Sequence, residues 1–199
     1  GLHIHTRIMK EGVNQMIRNG ELSDTAKTAI AGYMELAPSL TAFGNMNPTS
    51  YFRLVPHQEA PTNICWGDRN RSVLVRVPLG WTKPVNMISN ANPQEKGDIV
   101  DFSGKQTVEL RSPDGSADIY LLLAGMTVAA RHGFEMKNAL ETAKKTYVDI
   151  NIFDAEHQEK QNSLAHLPQS CVESADNLLK QKEIYLDKGV FTEAILTQL

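Results

Sequence analysis

The sequence has few cysteines, no long apolar run and no excess of basic residues, and each shortage excludes a class of protein. Its two cysteines, Cys65 and Cys171, lie far apart, which argues against a disulfide framework or a paired-thiol zinc site. A reducing, cytoplasmic setting is the simplest expectation. No stretch approaches the ~20 apolar residues of a membrane span. We therefore expect no membrane partner, and since the formal net charge is -3, we expect no nucleic-acid partner.

The common phosphate-binding and nucleophile motifs are also missing: there is no Walker-type loop, no Rossmann glycine pattern and no nucleophile elbow. The beginning of the chain has no initiator Met and no signal-peptide layout, and it opens in a strand pattern. We therefore expect the chain to be part of a longer protein. Its 199 residues suit one sizeable domain or a domain plus an extension.

Hydrophobic periodicity predicts an α+β fold. Leu2 to Ile8 and Gln106 to Arg111 alternate between apolar and polar residues, as half-buried strands do. Further strands are expected at Ile64 to Trp66 and Ser72 to Val77. The segment Trp81 to Gly104 is long, polar and rich in Asn, Pro and Gly, which indicates a functional flap or an insertion.

Helices are predicted from helical spacing and from capping residues. Ser23 is a suitable N-cap for a helix that Pro38 is expected to end, before a short second helix over Ser39 to Phe43. A helix is predicted over Met136 to Ile150. The pattern Ser170 to Glu173 fits a capping box for a helix that ends near Leu186.

One predicted helix is apolar nearly all round. Ser116 is expected to cap it, and it should end near Gly133. A helix of that composition belongs in the centre of the core. Tyr120 and Met126 are therefore interpreted as packing residues rather than as contacts to a cofactor.

Two residue pairs on strands suggest chemistry. His3 and His5 share a strand face, and such a pair can bind one metal or contact a phosphate. An exposed polar strand face explains the same pattern, and without other information it is the preferred interpretation. Glu109 and Arg111 share a face in the same way. They form either a plain ion pair or a metal ligand beside an anion-binding arginine.

A group of arginines and a nearby glutamate indicate an anionic substrate. Arginine binds carboxylates and phosphates through two parallel hydrogen bonds, so several converging arginines favour such a ligand. Glu59, on an expected loop, is a candidate general base. The alternative is a solvated surface on which these arginines pair with Glu59 and Asp68. The arginines of this group lie within 24 positions: Arg53, Arg69, Arg71 and Arg76.

Five ordered motifs resemble those of the glutamine synthetase family. They cover roughly residues 2 to 133, and their order makes the resemblance specific. They are Leu2 to His5, Leu22 to Phe43, Pro48 to Pro61, Asn70 to Pro78, and Glu109 to Asp114 with the helix after it.

The resemblance implies a fold and a reaction. The fold would be α+β, with an antiparallel sheet and helices packed on one face. Residues 1–150 would form part of the catalytic domain and 151–199 its helical C-terminal extension, without the family's N-terminal β-domain. ATP would phosphorylate glutamate, and ammonia would displace phosphate from γ-glutamyl phosphate to give glutamine, with Mg²⁺ or Mn²⁺ as the cofactor. The full-length protein would assemble into a large ring homo-oligomer.

The resemblance also implies roles for eight residues. His3 and Glu109 resemble ligands of the metal that bridges the nucleotide phosphates. His5 and Arg76 resemble ATP contacts. Arg53 and Arg111 resemble the arginines that hold glutamate. The remaining two would act in catalysis: Arg71 faces the transferred phosphate, and Glu59 shields the intermediate and deprotonates ammonium.

Departures from the family pattern define the remaining alternatives. Arg7 lies where a serine is expected, Gln58 replaces a common aromatic, and Trp81 to Gly104 replaces a short basic link. These changes suggest the large, divergent class often called type III. Because upstream metal ligands precede the first matching strand in the family, we expect this polypeptide to be inactive alone. The alternatives are a non-catalytic paralogue, another carboxylate–amine ligase of the superfamily, or an α+β domain without an active site.

Overall fold

The computed structural model describes residues 1–55, 60–78, 90–94 and 103–199. Within these ranges the chain forms a four-stranded sheet, two small hairpins and a set of helices that cover one face of the sheet. The four strands of the sheet are β1 (Ile4–Thr6), β6 (Trp66–Asp68), β7 (Val75–Val77) and β8 (Val108–Leu110). The hairpins are β2 (Met9–Lys10) with β3 (Val13–Asn14), and β4 (Ile17–Arg18) with β5 (Glu21–Leu22).

The helices follow in chain order. The α-helices are α1 (Asp24–Gly44), α2 (Ile119–Glu135), α3 (Ala139–Thr146), α4 (Gln158–Ser163), α5 (Cys171–Lys180), α6 (Lys182–Leu186) and α7 (Glu193–Leu196). Short 3₁₀ turns occur at Pro48–Phe52, Ser103–Lys105, Ala155–His157 and Asp187–Gly189.

The sheet has the order β1-β8-β7-β6, and its two faces differ sharply. Ile4 pairs with Leu110, and Leu110 pairs with Val75 on its other side. These apolar side chains pack into the main core beneath the helices. Since side chains alternate along a strand, the residues between them point to the opposite, polar face. The helix-free face therefore carries His5, Arg76 and Glu109.

Strand β6 pairs with β7 in parallel, whereas the two other pairings are antiparallel. Residues 69–74 make the connection, although parallel neighbours usually need a dozen residues or more. Arg69 adopts a left-handed conformation with φ of 55°, which turns the chain back at the end of β6. Its N–H donates to the Val77 carbonyl at 2.8 Å. The connection folds back close to the sheet and brings Arg71 near Arg76.

Helix α1 begins as predicted and ends later than predicted. Ser23 is its N-cap, and the Ser23 side chain accepts a hydrogen bond from Ala26 N–H at 3.0 Å. Pro38 lies inside the helix, so the expected break and second helix are wrong. The residues on both sides of Pro38 are buried against neighbouring elements. Tertiary packing therefore outweighs the backbone hydrogen bond that the proline removes.

Helices α1 and α2 approach closely at two glycines. A Cβ at Gly32 would lie 1.9 Å from the Ala129 carbonyl oxygen, and one at Gly133 would lie 2.2 Å from that of Thr28. Those separations are far below van der Waals contact, so only glycine allows this crossing. The core of the domain is centred on this contact.

The sequence prediction for α2 was partly wrong. The N-cap is Asp118, whose side chain accepts hydrogen bonds from Tyr120 and Leu121 N–H, and not Ser116. Ser116 instead donates to Asp114 in the preceding turn. Met126 is buried as predicted, but the Tyr120 side chain is 85% exposed. A continuous apolar pattern cannot show which side of a helix lacks a partner.

The C-terminal helices pack on α1. Ser170 caps α5 as the capping-box pattern predicted, and the Glu173 carboxylate accepts from Gln169 N–H at 2.8 Å. The predicted helix to Leu186 divides at Gln181 into α5 and α6. Tyr185 is fully buried and shares a 2.7 Å hydrogen bond with Ser39 of α1. Residues from both sides of position 150 therefore contribute to one core.

The predicted α+β class, with helices on one face of the sheet, is confirmed, and its one departure is the parallel β6–β7 pair. Most of Trp81 to Gly104 lies outside the described residues, and so does Glu59. Among the residues that are described, no helix is long and apolar enough to cross a membrane.

Candidate functional site: an arginine-rich cleft over a buried carboxylate

A row of four paired residues crosses the polar face of the sheet. His5 of β1 lies opposite Glu109 of β8, Glu109 lies opposite Arg76 of β7, and Arg76 lies opposite Gly67 of β6. A Cβ at Gly67 would lie 2.2 Å from the Val148 carbonyl oxygen. The chain after α3 therefore passes directly over this end of the row and forms one wall above the sheet.

Glu109 is the centre of the site. Glu109 is fully buried, although its carboxylate lies on the polar face of the sheet. Arg76 binds one carboxylate oxygen through two nitrogens, with Nε at 2.8 Å and Nη2 at 2.7 Å from Oε2. The other oxygen, Oε1, lies 2.7 Å from His3 Nδ1 and 3.8 Å from Arg111 Nε. Three cationic or titratable side chains thus surround one buried acid.

The surroundings of His3 favour its neutral form. Partial burial lowers the pKa of His3, Glu109 raises it, and Arg111 and Arg76 lower it further, so that the net direction is downward. A neutral imidazole is the form that binds a metal ion. The pair His3 and Glu109 thus presents a ring nitrogen and a carboxylate oxygen side by side.

The connection between β6 and β7 is attached to the polar face by two side chains. Arg111 is 4% exposed, and its Nη1 donates to the carbonyls of Arg71 and Val73. Asn70 donates to the Ile150 carbonyl at 2.7 Å and accepts from Ser72 N–H at 2.9 Å. Both contacts fix the turn that carries Arg71.

These elements enclose an open cleft of about 840 Å³. Arg71 and Arg76 both line it, although their spacing of five would place them on opposite faces of an ideal strand. Arg71 lies in the connection before β7, so strand alternation does not determine the direction of its side chain. The residues that line the cleft are His3, Asp68, Arg69, Asn70, Arg71, Ser72, Arg76, Arg111, Asp149, Ile150, Asn151 and Phe153.

Three predicted site residues lie elsewhere or outside the described ranges. The Arg53 guanidinium donates to the carbonyls of Ser112 and Pro113, and a Cβ on Gly1 would lie 3.2 Å from Arg53 Nη1 and 3.9 Å from His3 Nε2. Arg53 is therefore close to the His3 end of the site. His5 is exposed, with Nδ1 3.1 Å from Thr107 Oγ1. Glu59 lies outside the described residues.

Sequence reasoning missed one wall of the cleft. A helix was predicted as far as Ile150, but α3 ends at Thr146, and the next residues cross above the sheet. This segment brings Asp149, Asn151 and Phe153 to the cleft. The sequence Asp-Ile-Asn at 149–151, with two residues that favour turns, was the available signal against a helix.

The arrangement favours the binding of an anion and of a divalent cation at adjacent positions. Arg71 is exposed in the turn above the row, so its guanidinium is accessible to a phosphate or carboxylate. Glu109 Oε1 is a buried carboxylate oxygen 2.7 Å from His3 Nδ1, and a cation could bind to these two atoms together. In the described ranges no group of three or more His, Cys, Asp or Glu side chains could enclose a metal ion. Further ligands for a cation at His3 and Glu109 would therefore come from outside the described residues, for example from water or substrate oxygens.

The fold and the cleft define an α+β domain with an arginine-rich site over a buried carboxylate. The sequence model of one family, described as "Glutamine synthetase, catalytic domain", matches residues 1–198. The chain therefore belongs to the glutamine synthetase family, in which it corresponds to part of the catalytic domain.

Curated relatives agree with this assignment. A glutamine synthetase of Thermococcus kodakarensis is 34% identical over 92% of this chain and 36% of its own length. Glutamine synthetases of Mycobacterium bovis and Streptomyces coelicolor are 34% and 33% identical over 98% of this chain and 37% of their own length. The chain thus spans little more than a third of the relatives it matches. The divergent type III class remains a prediction.

Proposed function

We propose that this chain forms part of the active site of a glutamine synthetase, which joins ammonia to glutamate through γ-glutamyl phosphate at the expense of ATP. The observation that carries the proposal is the cleft in which Arg71, Arg76 and Arg111 meet the buried carboxylate of Glu109. A phosphoryl transfer develops negative charge on the transferred group, and fixed cations lower its barrier. The family membership specifies which phosphoryl transfer we propose.

His3 and Glu109 would hold Mg²⁺ or Mn²⁺. The buried Oε1 of Glu109 beside His3 Nδ1 supports this choice of ligands, since a carboxylate oxygen and an imidazole nitrogen suit both ions. When bound, the ion would supply charge neutralisation at the nucleotide phosphates. The remaining ligands would come from phosphate, from water and from the upstream residues of the full-length protein that the family resemblance implies.

Arginines would hold the anions on either side of this position. Arg71 would contact the phosphate during its transfer. Arg76 would contact the nucleotide and would keep its ion pair with Glu109. Arg53 and Arg111 would place positive charge beside the glutamate carboxylates. Both of them also donate to backbone carbonyls, which fixes their direction before a substrate enters.

The two remaining roles are those of His5 and Glu59. His5 is exposed at the β1 end of the polar row, where it would contact the phosphates of ATP. Glu59 would deprotonate ammonium and shield the acyl phosphate from water. The full-length protein would act in the cytoplasm as a ring homo-oligomer, and the 199-residue chain by itself would make no glutamine.

The test is glutamine formation from glutamate, ammonia and ATP by the full-length protein that carries these residues, with Mg²⁺ or Mn²⁺ present. Activity that Arg53→Ala and Glu59→Ala each abolish, with unchanged thermal unfolding, supports the proposal. Arg18→Ala, at an exposed position of β4 outside the cleft, is the matched control. A folded, metal-loaded protein that forms no glutamine contradicts the proposal and favours the non-catalytic paralogue.

A further inference from the structure

The connection between β6 and β7 is unusually short, and its contacts explain how it holds its shape. Only residues 69–74 join two parallel neighbours, so the turn cannot be supported by a crossover helix. Two residues of the turn, Arg69 and Arg71, are exposed, and both line the cleft. The position of Arg71 thus depends on whatever ties the turn to the rest of the domain.

Arg111 ties the turn to the sheet through the Arg71 and Val73 carbonyls, and the Asn70 side chain ties it to residues 148–150. Its Nδ2 donates to the Ile150 carbonyl at 2.7 Å and to the Val148 carbonyl at 3.4 Å. Its Oδ1 accepts from Ser72 N–H at 2.9 Å and from Ser72 Oγ at 2.7 Å. An amide offers two donors and two acceptor lone pairs, so all four positions are used.

The contacts of Asn70 join the turn to the opposite wall of the cleft. Ser72 Oγ extends the link, because it accepts from Ile152 N–H at 3.3 Å. Below this junction lies a small apolar cluster of Cys65, Val73, Val148, Ile152 and Leu164. Cys65 is fully buried there, and burial raises the pKa of its thiol to about 11.

We propose that Asn70 is a positioning residue: it holds the 69–74 turn against residues 148–152 and thereby fixes Arg71 in the cleft. The anchoring part of the proposal rests on geometry alone. The catalytic consequence, through Arg71, rests on the proposed function above. Loss of the amide leaves Arg71 chemically intact but free to leave the position where the phosphate is transferred.

Thiol labelling tests the anchoring. In the full-length protein at pH 8, Cys65 should react with iodoacetamide about 10-fold faster in Asn70→Ala than in wild type, since opening of the turn exposes the cluster. Cys171, which is only partly buried, is an internal reference. Asn151→Ala is the matched control, because Asn151 lines the same cleft but, among the described residues, its side chain bonds within its own loop, to Asp154 and Phe153.

A second variant covers the case in which Asn70→Ala does not fold. Asn70→Asp keeps the acceptor for Ser72 but removes both donors to the opposite wall. It should give faster labelling of Cys65 while the thermal unfolding transition stays cooperative. Labelling of Cys65 at the wild-type rate in a folded Asn70 variant overturns the proposal.

A double-mutant cycle tests whether Asn70 acts through Arg71. Asn70→Ala alone should lower kcat by about 100-fold, the cost typical of a displaced catalytic group, with a smaller change in KM for ATP. In an Arg71→Ala background the same substitution should lower kcat by less than about 3-fold, since the group it positions is already gone. A purely structural role would make the two losses multiply, and that result overturns the catalytic part.

The two proposals fail in different ways. If the wild-type protein forms no glutamine, the proposed function fails, and the labelling rate of Cys65 still decides whether Asn70 anchors the turn. If glutamine forms and Asn70→Ala changes neither labelling nor kcat, the proposed function stands and the positioning role is wrong.

Discussion

The two faces of the four-stranded sheet have opposite designs. On one face Leu110 and Val75 pack beneath helices, and nearly all contact is apolar. On the other face the buried carboxylate of Glu109 pairs with the partly exposed Arg76, and the cover is a thin layer of turn and loop. Because side chains alternate along each strand, one face of the sheet stabilises the fold and the other carries the proposed chemistry. Substitutions on the apolar face should therefore lower stability, and substitutions on the polar face should lower activity.

The largest effect is expected on the polar face. Arg71→Ala should lower kcat for glutamine formation by about 1,000-fold, because it removes a fixed cation from the transferred phosphate. Its side chain is exposed, so the thermal unfolding midpoint should stay within about 2 °C of wild type. Steady-state kinetics and calorimetry on the full-length protein measure both quantities. A large fall in stability would remove the distinction between the faces.

On the apolar side a matched pair of leucines gives the next largest effect. Leu122 of α2 is fully buried, whereas the adjacent Leu123 is 42% exposed. Leu122→Ala should lower the free energy of unfolding by about 3 kcal/mol, and Leu123→Ala by less than about 1 kcal/mol. Urea denaturation measures the difference. Equal losses would show that the exposed side of α2 is covered by another part of the protein.

The close crossing of α1 and α2 should resist even a single methyl group. Gly32→Ala should cost about 2 kcal/mol, since the new Cβ would meet the Ala129 carbonyl and push the helices apart. Gly115→Ala is the control, because nothing lies within 4 Å of a Cβ at that position. The unfolding midpoints of the two variants are compared in the same buffer. A neutral Gly32→Ala would mean that the crossing can open without cost.

The smallest effect concerns the cap of α2. Asp118→Ala removes the acceptor for Tyr120 and Leu121 N–H and should cost about 1 kcal/mol. Asp118→Asn keeps an acceptor at the same place and should recover most of that loss. Chemical denaturation of both variants provides the measurement. If Ser116→Ala costs more than Asp118→Ala, the observed cap is assigned to the wrong residue.

Local sequence patterns predicted many features of the fold and of the polar face. Period-two alternation placed His3, His5 and Glu109 on the polar face, and the structure puts all three there. The caps at Ser23 and Ser170 were also readable, because a cap depends only on neighbouring residues. The α+β class followed from the same signals and from the family resemblance.

The features that were not predicted from the sequence depend on contacts between distant parts of the chain. Arg71 and Arg76 meet in one cleft only because β6 and β7 are parallel and joined by a short turn. Pro38 stays helical because its surroundings are packed, and Tyr120 is exposed because no described residue covers its side of α2. Strand order and helix orientation of this kind are tertiary properties, and a window of neighbouring residues does not contain them.

The central claim is that the polar row binds a divalent cation and the phosphates of ATP. The most direct measurement is a crystal structure of the full-length protein with Mn²⁺ and a non-hydrolysable ATP analogue, with anomalous scattering to locate manganese. We predict a manganese peak bound by His3 and Glu109, with nucleotide phosphates beside Arg71 and Arg76. Manganese and nucleotide bound away from these residues, with the cleft empty, would contradict the account.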